Sequence, residues 1–116
     1  HEFEQIPIVF KLYEFYRTLH DCVLKFPKIE RYSLGQELQN ESLELIRVVI
    51  SASKTDSLGQ KLEYLEVANS RLEIVKLLVR LSSDVNAITD KRYLGLQSIL
   101  QEIGKMLGGW IKSLKK

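Results

Sequence analysis

Apolar residues return at three- and four-residue intervals in four stretches of this 116-residue chain, with polar or turn-forming residues between them. That period belongs to one face of an α-helix, and no stretch alternates convincingly over the length of a strand. The first stretch runs from Pro7 to about Lys25 and aligns Ile8, Leu12, Phe15, Leu19, Cys22 and Val23, with Val9, Tyr13 and Tyr16 widening the stripe. Proline suits a first helical turn, where its missing N–H leaves no bond unmade. Pro27 disfavours helical geometry at Phe26 and opens a connector, FPKIERY. A second helix follows Ser33, with Leu34, Leu38, Leu45, Val48 and Val49 among its apolar residues, and fades at SASKTDS. A third runs from Leu58 to about Ser82, and a fourth starts near Thr89 or Asp90 and ends near the C-terminus.

The quartet SLGQ opens both the second and the third helix, at Ser33 and at Ser57. Ser-x-x-Gln is a capping box, so both copies are expected to start helices. A single glycine in each cannot form the glycine-rich cradle that holds phosphates. The third helix carries two apolar stripes: Leu58, Leu62, Leu65, Ala68, Leu72, Val75 and Val79, then Val67, Ile74, Leu78 and Leu81. A surface helix needs one such face, so the second must meet another helix or another subunit. In the fourth helix Leu96, Ile99, Leu100, Ile103, Leu107, Trp110 and Leu114 form one stripe, which places Trp110 in the core. Gly95, Gly104, Gly108 and Gly109 share that segment, though glycine costs a helix about 1 kcal/mol relative to alanine. Either Gly104 and Gly108 admit a close neighbour on their shared face, or the Gly108–Gly109 pair kinks the helix. Four helices of about 20 residues with short connectors predict an all-α, up-down-up-down four-helix bundle in one domain, residues 1–116.

Composition narrows the function more by exclusion than by signature. No apolar run approaches the roughly 18 residues of a membrane span. The N-terminal HEFEQIPIVF carries acids where a secretory signal carries bases, and a lone Cys22 forms no internal disulfide; both favour a cytoplasmic location. His20, Asp21 and Cys22 adjoin, but neighbours on a helix do not share a face, so they make no nucleophile–base pair. Glu41 with Glu44 and Glu63 with Glu66 stand at i,i+3 without histidine partners, so no metal centre and no cofactor is expected. An enzyme is not indicated. The net charge of +2 is too small to mark nucleic-acid binding, but its distribution is uneven. After Ile103 every ionisable side chain is a lysine, including Lys105 and Lys112. Lys28 and Arg31 flank the first connector, Lys76 and Arg80 are four apart, and Lys91 and Arg92 open the fourth helix. Each pair alone reads equally as a solvated face. Tyr32, Tyr64 and Tyr93 stand near them as candidate stacking surfaces.

Four segments point to a family. FPKIERYSLGQEL, ANSRLEIVKLLVRL, DKRYLGL and above all EIGKMLGGWIKSL resemble the four-helix-bundle family of accessory variability determinants of diversity-generating retroelements. The ribosomal-RNA intervening-sequence proteins are related to that family, and the ending MLGGWIKSL sides with the retroelement branch. The resemblance implies a ring-shaped homopentamer that binds RNA or DNA and the retroelement's reverse transcriptase, with no catalysis of its own. By the same resemblance, such a protein is expected to support error-prone copying of a template RNA. Lys28, Arg31, Arg80, Lys105 and Lys112 are the matching basic positions. Five copies would carry about +10, focused where basic faces converge. The alternatives are an intervening-sequence-type bundle protein and a helical adaptor with no nucleic-acid role.

Overall fold

The structure, a computed structural model, describes residues 6–116. The acidic N-terminal residues 1–5 lie outside the described residues. The helices are α1 (Pro7–Leu24), α2 (Lys28–Arg31), α3 (Leu34–Lys54), α4 (Leu58–Asp84) and α5 (Asp90–Leu114), and no strand occurs among the described residues. Both α1 and α4 pack on α3 and on α5. The four long helices therefore stand at the corners of a square with α1 and α4 on one diagonal, and short connectors reverse the chain at each end.

The core follows from the stripes. Leu12, Phe15 and Leu19 of α1 meet Leu38, Leu45 and Val49 of α3, Leu65, Leu72, Val75 and Val79 of α4, and Leu96, Leu100, Ile103 and Leu107 of α5, all essentially without solvent contact. Burying each large side chain is worth about 1.5–3 kcal/mol. Two polar residues share this interior, Ser42 and Ser82. Each hydroxyl donates to the carbonyl one turn back, Leu38 at 2.7 Å and Leu78 at 2.8 Å, which satisfies it.

The FPKIERY connector is more ordered than its composition suggests. Phe26 is buried, and residues after Pro27 wind into the single turn α2. Arg31 ties that turn to the end of α1: its Nη2 donates to the carbonyls of Leu24 at 2.9 Å and Phe26 at 3.3 Å. The two SLGQ copies part company. Ser57 caps α4, its hydroxyl accepting the Gln60 N–H at 3.3 Å. Ser33 makes no such cap; its hydroxyl donates instead to the Ile29 carbonyl in α2, an acceptor that the preceding helical turn supplies and Ser57 lacks. Gly35 is tightly packed: a Cβ there would lie 2.8 Å from the Val23 side chain. Gly59 has nothing within 4 Å.

The end of α4 is built around Asn86, the one described non-glycine residue with positive φ, at 61°. The Ala87 N–H donates to the Ser82 carbonyl and the Asn86 N–H to that of Ser83, the paired bonds of a Schellman ending. This turns Ala87 and Ile88 back into the core before Thr89 caps α5 through the Arg92 N–H. The fourth helix expected from sequence is unbroken through Gly108 and Gly109, which face open space. Trp110 sits at the edge of the core, half-buried, and Ile111 takes the interior position. Leu58 likewise falls outside the buried stripe of α4.

Candidate nucleic-acid and partner interface

Two of the basic residues singled out in the sequence meet in one place. Lys76 of α4 and Lys105 of α5 line an open groove between those helices, with Asn69, Gln101, Glu73 and Gly104. Polar contacts between α4 and α5 flank the groove on either side. Gln97 Nε2 donates to the Lys76 carbonyl at 3.4 Å, and Lys115 Nζ stands 3.8 Å from a Glu66 oxygen. Gly104 keeps the floor low; a Cβ there would touch Lys76 Nζ at 3.5 Å and Leu72 at 3.6 Å, ordinary contact distances. Lys76 is already engaged by Glu73 at 3.4 Å, so Lys105, exposed and outside any ion pair among the described residues, is the freer cation. Ammonium groups and amides along an open groove suit an extended polyanion or an acidic protein surface.

The remaining basic residues fall at the two ends of the bundle. The Arg92 charge acts on Cys22, which sets the start of α5 beside the end of α1. Lys91 and Arg92 thus share an end with Lys28 and Arg31. Lys28 and Lys91 are exposed, whereas the Arg31 guanidinium is committed to the two carbonyls that close α1. Arg80 is exposed near the same end, loosely paired with Asp84 at 3.9 Å. Lys112 lies in the last turn of α5, 21 residues from Lys91 and so about 30 Å away along the helix. One chain does not gather the eight positions into a single patch. Of the tyrosines, Tyr32 is 66% exposed and open to stacking, while Tyr64 and Tyr93 pack against the core.

Asn69 and Gln101 were not singled out in the sequence, although the signal was present. They stand seven and four residues before Lys76 and Lys105, which puts them on the same helix faces. The other chemistry is modest. His20 Nδ1 lies 3.4 Å from the Gln39 amide, not beside a nucleophile. Burial pushes the Cys22 thiol above its ordinary pKa, against the weaker pull of the Arg92 charge, which leaves it protonated at neutral pH. No group of three or more His, Cys, Asp or Glu that could hold a metal ion occurs among the described residues. None of the described helices is long and apolar enough to cross a membrane.

The family model described as bAvd-like matches residues 7–114, from the first residue of α1 to the last of α5. The chain belongs to that family. It is the family of the Bordetella accessory variability determinant of diversity-generating retroelements. No curated protein matches the chain. The bAvd-like match covers every helix that carries a candidate basic residue.

Proposed function

We propose that this chain is the non-catalytic accessory protein of a diversity-generating retroelement, a cytoplasmic single-domain bundle that works as a ring-shaped homopentamer. It binds the reverse transcriptase and the RNA or DNA being copied, and so supports mutagenic copying of the template RNA. The observation that carries this reading is the bAvd-like match across all five helices. The exposed lysines support it further: Lys28, Lys91, Lys105 and Lys112 stand in solvent, where phosphates or acidic side chains can reach them. A ring multiplies each of these small clusters around an axis, which converts a chain of net charge +2 into a surface with several convergent cations.

The test uses the reverse transcriptase encoded beside the chain. Immobilised chain should retain that polymerase, and the free chain should bind template RNA with an affinity that falls as salt rises. Lys105→Glu with Lys112→Glu should leave the fold intact and reduce one or both interactions. Where the lysines neutralise phosphates, the salt slope should flatten by about one unit for each lysine that had done so. A folded double variant that keeps full polymerase capture and an unchanged salt slope would assign these lysines to solvated faces and return the adaptor reading.

A further inference from the structure

Between α1 and α3 runs an open groove of about 530 Å³, within the roughly 300–1,000 Å³ usual for sites that hold small molecules. It lies on the side of the bundle opposite the α4/α5 groove of Lys76 and Lys105. Val23, Leu24 and Leu43 give it an apolar lining, Tyr16 and Tyr32 supply rings, and Gln36, Gln39 and Asn40 supply amides beside His20. Little of that hydrogen-bonding capacity is used. His20 Nδ1 stands 3.4 Å from Gln39 Nε2, while the amides of Gln36 and Asn40 and the hydroxyls of Tyr16 and Tyr32 have no partner among the described residues.

Charge is the groove's other distinguishing feature. Arg31 also borders it, but its Nη2 is committed to the carbonyls of Leu24 and Phe26. No carboxylate lines it, although four adjoin its residues in sequence. Asp21 and Glu37 border other grooves, Glu41 is held by Arg71 at 2.8 Å, and Glu44 pairs with Arg47. A run of phosphates would meet one committed cation here, and a basic peptide would meet no acid. What fits is a flat, uncharged group with an apolar face for a tyrosine ring and a rim of donors and acceptors for the amides. A nucleobase is such a group.

We infer that the α1/α3 groove takes an unpaired nucleobase, stacked on Tyr32 and held at its edge by the amides of Gln36, Gln39 and Asn40. The base has two sources, a single strand or a free nucleotide. For the strand the inference rests on the reading that this chain binds nucleic acid, and it adds a contact to bases where the lysines offer contacts to phosphates. Lys25 and Lys28, exposed and outside any ion pair among the described residues, adjoin the connector end of the groove and suit the flanking phosphates.

Adenine is the probe, since one side-chain amide can reach its N6 and N7 together. Fluorescence anisotropy compares a short labelled oligoadenylate with an abasic strand of the same length and charge, and calorimetry follows adenosine monophosphate alone. The unaltered chain should bind oligoadenylate about tenfold more tightly than the abasic strand. Tyr32→Ala and Asn40→Ala, both at exposed positions, should keep the helical circular-dichroism melt, remove most of that tenfold, and leave the abasic affinity and its salt slope unchanged. Gln36→Ala, also exposed, replaces either variant that fails to fold. Lys105→Glu with Lys112→Glu should instead weaken both strands alike. Adenosine monophosphate that binds the chain and is lost from Tyr32→Ala, without any preference between the strands, assigns the groove to a free nucleotide. A strand preference that survives these variants, or equal strand affinities with no nucleotide binding, overturns the inference while nucleic-acid binding stands. A chain that binds neither strand removes the nucleic-acid reading, and the groove then stands or falls on the nucleotide titration.

Discussion

The two SLGQ quartets show how one residue type serves different ends. At Gly35 a methyl group would sit 2.8 Å from Val23 Cγ1, inside a buried contact between α1 and α3. Gly35→Ala should therefore cost about 1–3 kcal/mol by overpacking and lower the melting temperature by several degrees. At Gly59 nothing lies within 4 Å, and Gly59→Ala should raise stability by about 0.4–1 kcal/mol through a less flexible unfolded chain. Thermal melts of the two variants should move in opposite directions. Cys22 offers a second residue-scale expectation. Burial raises its thiol pKa in the folded chain, so unfolding releases a proton once the pH passes the ordinary thiol value. Its contribution to stability is whole below that value and declines as pH rises toward the folded one, and replacing it with alanine should remove that alkaline decline. Native protein should also react slowly with a thiol reagent at neutral pH and quickly after denaturation.

At the scale of the elements, the ends of helices carry much of the definition. Asn86 adopts a left-handed conformation that most side chains resist, and the Schellman bonds it permits swing Ala87 and Ile88 into the core. Asn86→Val should cost about 1–3 kcal/mol, whereas Asn86→Gly should be neutral or slightly stabilising; chemical denaturation midpoints distinguish them. Trp110 is half-buried at the edge of α5, so Trp110→Ala should cost about 1–2 kcal/mol, below the range for a fully interior tryptophan, and leave a folded chain. The helix limits at Pro7, Leu58 and Asp90 are legible in the chain because proline, Ser57 and Thr89 mark them chemically. The α2 turn is not, since four residues show no period, and the tie that orders it comes from Arg31 reaching back to Leu24. The grouping of Lys76 with Lys105 is likewise hidden, because it depends on how far α5 slides along α4, and only packing sets that register. The surplus stripe of α4, in contrast, could be read from spacing alone: Val67, Ile74 and Leu81 are left uncovered, although Leu78 of the same stripe packs partly against the core.

For the molecule as a whole, α1 closes the square by packing on α5, and Ile6, Pro7 and Ile8 share an apolar groove with Met106 and Trp110. The first residue of α1 and the last turns of α5 therefore emerge at one pole, while α2, Lys28 and Lys91 occupy the other. That layout makes the bundle a candidate for circular permutation. A short glycine–serine linker running from the end of α5 to Ile6, with the chain reopened between the exposed Asp56 and Ser57 on the same pole, should preserve the helical signal and a cooperative melt. A pronounced loss of cooperativity would show that the order in which α1 joins the other helices matters to folding. The same geography governs how the protein can be tethered. A fluorophore, a surface anchor or a fused polypeptide attached beside Ile6 or Leu114 would leave from one side only, so that the opposite pole points away from any support and stays open to whatever large molecule approaches it.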